Sequence, residues 1–471
     1  MNGLELTRTE IEEASRLLEQ SMVGFQERLA TRPVYPKVDR AALRAIMDEP
    51  LPEAGRPLEE LFAEFEAVVV PNSTLIPHPR FLGYVIASPT GVAPFAEALA
   101  ATINQNCNIW TLGPAANTVE QKVIRWFAEL FAFPETAGGL LVSGGSMANA
   151  TALAAARDAH HPGEARAEGL QGLSKRMTLY VTTEVHNSVV KGAAMLGFGL
   201  NDIRKVAIDD AFRMDVSDLE EKVRQDRANG MQPFCVVASA ASVATGAIDP
   251  LDALADFCAE ENLWLHVDGA YGAFGVLSDR LREELVPAGR ADSLALDPHK
   301  LMFSSLEAGC VLVKDTESLK KSFQFQPSYI GIYEDHDFMD FGELGPQLSR
   351  GFKALKVWWS IRAAGMKTYR GVIERVLDLA AYMAERIEAE PSLELAAPVP
   401  FTAVCFRVRD LDDAANEQLL NNLVEGGTAF LTRARLRNRF WLRACFTNYR
   451  TTRADVDMIL EEVLRLASGR N

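Results

Sequence analysis

Apolar positions along the chain recur with two different periods, and the change from one to the other divides it. Over residues 6–28, Ile11, Ala14, Leu17, Leu18, Met22 and Phe25 fall at helical spacing behind Thr9 as N-cap. A second helical pattern covers 58–68, and the two-proline stretch 32–37 between them reads as extended. These pieces cannot close a core of their own, so they predict an amphipathic arm that packs on a partner subunit. Helical patterns follow at 91–104 and 118–131. Brief apolar runs then appear at 178–182, 234–239, 262–267, 293–296 and 309–313, too short for helices and rich in β-branched residues. The stretch GGLLVSGGS ending at Ser146 adds a short strand and a tight glycine turn, which lead into the helix-forming MANATALAAARDA. Another helix starts at Asp249-Pro250. Strand and helix alternating in this way predict a mostly parallel sheet with right-handed crossovers.

Residues 324–345 break the rhythm: they have no sustained period and mix aromatics with acids, the mark of a functional loop. A helix is predicted from Leu348, a long one over 368–389, strands at 402–408 and 439–446, and helices at 411–425 and 453–467. The expected organisation is an α/β protein with a helical arm at 1–85, a large domain at 86–366 and an α+β carboxyl-terminal domain at 367–471.

Composition narrows the function classes. A chain of 471 residues with 48% hydrophobic and 24% charged positions is ordinary globular material. Its formal charge of −16 argues against nucleic acid or an anionic membrane as partner. The six cysteines are scattered through apolar runs without zinc-site spacing, so no metal site is expected and the thiols read as free, in a reducing compartment. Glu5, Glu10, Glu12 and Glu13 stand where a signal peptide would be basic, and no uncharged apolar run is long enough to span a bilayer. A soluble, cytoplasmic protein is the expectation.

Candidate chemistry sits at strand ends. Asp297-Pro298-His299-Lys300 follows the run at 293–296, and a lysine there is either a solvated strand end or a nucleophile toward a carbonyl. Asp268 decides between these. It ends the run NLWLHV and is followed by Gly269-Ala270-Tyr271-Gly272, which allow a ligand to approach the backbone. A lysine for a Schiff base and a carboxylate for the pyridine nitrogen are what pyridoxal 5′-phosphate (PLP) requires. The turn before Ser146 offers helix-start N–H groups and a hydroxyl to a phosphate, although alone it is also an ordinary αβ turn. His186 follows the 178–182 run and either stacks on a planar ring or is a satisfied loop histidine. Tyr84 and Trp110 either line a pocket or belong to the core.

Together DPHK, HVDGAY, GGSMAN and LSRGFKALKVWW resemble the group II PLP-dependent amino-acid decarboxylases, most closely the aromatic-L-amino-acid branch, from about His78 to the last helix. The resemblance implies PLP fold type I, the aspartate aminotransferase-like α/β fold, as a homodimer with the active site at the interface. It makes Lys300 the Schiff-base lysine, Asp268 the partner of the ring nitrogen and His186 the stacking ring. Gly145, Ser146 and His299 would bind phosphate, Ser242 would lie beside the ring, and Ala270 would lie beneath it. Tyr84, Val85 and Trp110 would line the substrate pocket. The implied reaction is decarboxylation of an L-amino acid to its amine. Leu301 and Gly351 depart from the family, which commonly has Trp and Arg there. Aligned back from Arg350 without gaps, Phe341 falls where the resemblance places a proton-donating tyrosine; that replacement points to an aldehyde synthase, unless Tyr329 or Tyr333 donates instead. A transaminase or carbon–sulfur lyase on the same fold is the further alternative.

Overall fold

The computed structural model describes residues 4–161, 164–325 and 339–469. Its first sheet has seven strands: β1 (Gly138–Val142), β2 (Met177–Thr182), β3 (Ile203–Val206), β4 (Gln232–Ser239), β5 (Trp264–Asp268), β6 (Ser293–Leu296) and β7 (Gly309–Val313), in the order β1-β7-β6-β5-β4-β2-β3. Strands β3, β2, β4, β5 and β6 are parallel, while β7 runs against both β6 and β1. The register sets Ser239 beside Asp268 and Asp268 beside Ala295, so the carboxyl ends of β4, β5 and β6 are level. Because β7 reverses direction, its first residue Gly309 lies opposite the last residue of β1, Val142. The turn after β1 therefore reaches the same sheet edge as the loop that carries Lys300. The approach is close: a Cβ on Gly309 would lie 2.4 Å from Gly144 Cα.

Four more strands, β8 (Leu393–Leu395), β9 (Ala403–Val408), β10 (Thr432–Leu436) and β11 (Arg439–Cys445), form an antiparallel sheet in the order β10-β11-β9-β8. Helices Asp413–Glu425 and Arg453–Ala467 supply Leu419, Leu423, Ile459 and Val463 to the core on this sheet. The Ala354–Ala389 helical run spans both regions and breaks at Gly365, whose φ of +72° suits glycine. Patterning predicts neither β3, whose IRKV is only four residues long with two charged residues at its centre, nor β8 and β10, which are short or exposed on one face. The helix expected from Leu348 begins only at Ala354.

The first helix is Arg8–Arg28, and its cap is Thr7 rather than Thr9, because Glu10 three residues on closes a reciprocal capping box. No residue of this helix is buried, nor is any of Leu58–Glu64. The 339–350 segment is fastened to the Pro114–Leu130 helix by an ion pair between Arg350 and Glu120, both buried. Arg350 also donates to the carbonyls of Cys107 and Leu141, at 2.7 and 2.8 Å, so the guanidinium's desolvation is offset by several bonds.

Candidate active site

A cavity of about 450 Å³ opens at the level edge of the first sheet, with Lys300, Asp268, His186, Ser242, Gly145 and Ser146 in its wall. Ala270 and His299 also reach it. Residues far apart in the chain thus meet where the strand ends are aligned. Phosphate chemistry suits one end. The Gly145–His160 helix starts there, and its first N–H groups have no partner within the helix. Gly145 is required by space: an added Cβ would be 2.7 Å from the Ala270 Cβ. At the other end is Asp268, buried and carboxylate-bearing. Asp268 Oδ2 accepts from Asn149 Nδ2 at 2.9 Å, and Oδ1 accepts from the Ala270 N–H at 3.2 Å.

Lys300 is not simply desolvated, as its position after a buried strand suggests. Its Nζ lies 2.8 Å from Asp297 Oδ2, while the other oxygen of Asp297 is buried without a hydrogen-bond partner. His299 Nδ1 is 2.6 Å from the Ala308 carbonyl, which fixes the ring beside Gly144. Desolvation lowers the pKa of His299, with Asp297 opposing. Desolvation likewise lowers that of His186, with Asp268 opposing. Both imidazoles are thereby biased toward the neutral form.

Behind Asp268, His266 is completely buried, and desolvation pushes its pKa down from 6.5 to about 4. Between those values the unfolded chain binds a proton that the folded chain does not. Stability is therefore lost as pH falls through this window. We expect His266→Gln to reduce the loss in apoprotein unfolding free energy between pH 7 and pH 4.5 by about 2 kcal/mol, measured by denaturant titration. An unchanged pH difference would show that His266 is not held neutral.

A second cavity of about 1020 Å³ shares Lys300, His186, Val85 and Val243 with the first and extends past Tyr84, Phe430 and Tyr35. Tyr84 and Val85 line this cavity. Trp110 and Phe341 line neither cavity. The backbone N–H of Trp110 is bound to Asp340 Oδ1 at 2.6 Å, which ties its loop to the 339–350 segment. Phe341 is fully buried, with the Arg350 guanidinium 5.1 Å from its ring centroid and the next N–H, of Gly342, bonded to Asn108. A ring enclosed in the core cannot face a substrate, so the replacement at Phe341 carries no argument about protonation. Tyr329 and Tyr333 lie outside the described residues.

The sequence assigns no role to Asn149, Asp297 or Phe430, although the first two lie in GGSMAN and DPHK. Asn149 is one turn beyond Gly145 on the same helix, so helical spacing alone puts it behind the cavity. Phe430 and Asp297 carry no local signal of the faces they meet.

The pyridoxal-dependent decarboxylase conserved domain matches residues 41–409, which span the cavity-lining turn, Asp268 and Lys300. The chain belongs to this family. Its cofactor is PLP and its chemistry is amino-acid decarboxylation, which sets the transaminase and carbon–sulfur lyase alternatives aside. The chain is similar to the aromatic-L-amino-acid decarboxylase of Bacillus atrophaeus, 33% identical over 99% of this chain and 97% of that one. It is also similar to the 4-hydroxyphenylacetaldehyde synthase of Rhodiola rosea, 26% identical over 97% and 94%. The crystal structure of mouse CSAD superposes with a TM-score of 0.91 at 27% identity, covering 98% of this chain and 99% of that one. The decarboxylase has fold type I, with a largely parallel sheet under the site. The narrow cavity suits the cofactor: it places an amine, a buried carboxylate and a helix-start anion site around one volume.

Proposed function

We propose that this decarboxylase acts on an L-amino acid with an aromatic side chain and releases the amine and carbon dioxide. One observation carries the side-chain class. Phe430 gathers Tyr35, Phe81 and Tyr84 at ring-centroid distances of 5.9, 5.0 and 6.2 Å, and Tyr35, Tyr84 and Phe430 face the wide cavity beside Lys300. Flat apolar walls favour a flat apolar side chain. The similarity to the Bacillus atrophaeus protein supports the same reading.

When bound, PLP supplies an electron sink for the bond that breaks. In this reading Lys300 would hold it covalently, Gly145, Ser146 and His299 would bind its phosphate, and Asp268 would keep a proton at the ring nitrogen. His186, Ala270 and Ser242 would hold the ring in place. Tyr84 and Val85 would orient the substrate, and that orientation would select the bond that breaks.

A second reading, an acidic side chain, has one observation in its favour. Arg443 is buried; it donates to the Ala244 and Tyr84 carbonyls at 3.2 and 3.0 Å, its Nη2 has no hydrogen-bond partner, and it lines the wide cavity. Measuring carbon dioxide release from the twenty L-amino acids separates the two. The aromatic ones should react fastest, with one amine per carbon dioxide. Fastest turnover of an acidic one would overturn the aromatic reading, and one peroxide per carbon dioxide would overturn the amine as product.

Two copies pair in this proposal. The support is the unpartnered apolar face of the arm, where Leu18, Leu61, Phe65 and Phe95 remain exposed around a groove of about 1010 Å³. Light scattering should give twice the mass of one chain; a monomer at micromolar concentration would sink this. Six buried cysteines without a disulfide support a cytoplasmic location, which cell fractionation tests. Among the described residues no helix is long and apolar enough to cross a membrane.

A further inference from the structure

A continuous line of hydrogen bonds runs from the protein interior to both sides of the narrow cavity, and the chemistry of its ends orients every member. At the inner end the Trp264 indole, which can only donate, gives its Nε1–H to Ser293 Oγ at 2.8 Å. Ser293 Oγ is also 2.9 Å from His266 Nδ1, and His266 Nε2 is 2.9 Å from Asn149 Oδ1. The outer end fixes the direction of these bonds. The carboxylate of Asp268 only accepts, so the atom of Asn149 2.9 Å from it must be Nδ2 and the atom facing His266 must be Oδ1. His266 therefore carries its proton on Nε2, and Nδ1 of the neutral ring accepts from the Ser293 hydroxyl.

The amide has a second proton, and it goes elsewhere. Asn149 Nδ2 also donates to Ser188 Oγ at 2.9 Å, so Ser188 has its hydroxyl proton to give to His186 Nδ1 at 2.7 Å. The Ser188 N–H points at the same ring nitrogen, at 3.3 Å. A nitrogen that accepts from two donors carries no proton. The neutral His186 ring must then carry its proton on Nε2.

We propose that Asn149 is a positioning residue that sets Asp268 and His186 together: its one amide nitrogen holds the carboxylate in place and, through Ser188, fixes His186 as the Nε2–H tautomer. His186 then meets the cavity as a donor and not as a base, so the group it faces must be an acceptor such as a carboxylate or a cofactor oxygen. Asn149 and His266 are fully buried, so neither bond competes with water. This inference rests on the reading of Asp268 and His186 as the residues that flank PLP.

The test uses imidazole ¹⁵N spectra of the holoenzyme, with His186 assigned by its loss in His186→Gln, together with PLP titration of the apoprotein and the pH profile of kcat. Wild type should show His186 protonated at Nε2. Asn149→Leu should release that preference, lower kcat about 10²-fold and weaken PLP binding about tenfold. Ser188→Ala, a smaller change that leaves the Asn149 bond to Asp268 in place, should release the tautomer while weakening PLP binding less than Asn149→Leu does. His266→Gln, which keeps a donor near Asn149, should lose less activity than His266→Phe. A wild-type His186 protonated at Nδ1 would overturn the proposal, and so would an unchanged tautomer and PLP affinity in both Asn149→Leu and Ser188→Ala. Absence of carbon dioxide release from every amino acid would instead overturn the functional reading, since the spectra and the titration do not depend on turnover.

Discussion

Lys300→Ala should release no measurable carbon dioxide from any amino acid, a loss of about 10⁵-fold or more in kcat. Lys300 is the lysine that lines the narrow cavity, and its Nζ is brought there by a loop held at both ends by strands, β6 before it and β7 after it. Another surface lysine cannot replace it without moving the sheet edge. The variant also leaves Asp297, whose Oδ2 is 2.8 Å from that amine, without its cation. Asp297 is buried, so PLP binding and thermal stability should fall together, more in Lys300→Ala than in Lys300→Arg, which restores the charge but not the primary amine. Borohydride treatment followed by peptide mapping checks the assignment directly: the pyridoxyl label should be on Lys300 in wild type and absent from the variant. A label on a different lysine of the wild type would remove the central residue of the proposed site.

Asp268→Asn should still bind PLP yet lose about 10³-fold or more in kcat. The fold tolerates the change in volume, and the amide can still accept from the Ala270 N–H, now 3.2 Å from Oδ1. What it cannot do is hold a proton at the ring nitrogen with a full negative charge, and it sets its own NH₂ against the Asn149 donor that is 2.9 Å from Oδ2. The loss should therefore be in kcat with little change in KM, because the charge is needed as electrons leave the breaking bond and not when the substrate binds. Rates near those of wild type would show that the ring nitrogen is not used in this way.

Much of the site was legible in the sequence, because each member follows a local signal at the end of a strand. Lys300 follows β6, Asp268 ends β5, Gly145 and Ser146 follow β1, and His186 follows β2. Short buried runs announce such strands through composition alone, and ligands in α/β sheets gather at their carboxyl ends. Strand order and direction carry no such signal. That GCVLV turns back as β7 against β6 and β1 depends on packing between segments some 170 residues apart, and that reversal brings the glycine turn beside the Lys300 loop. Phe341 and Trp110 show the opposite case. Trp110 stood in an aromatic loop that suggested a pocket and Phe341 was placed by alignment with a tyrosine, but Asp340 and Arg350 hold these segments away from both cavities. Local pattern thus determined which residues could do the chemistry, since strand ends and helix starts are set within a few residues. Tertiary packing decided which of them face one cavity, that Asp297 pairs with Lys300, and that Asn149 stands behind Asp268, because burial and hydrogen-bond direction exist only once distant segments meet.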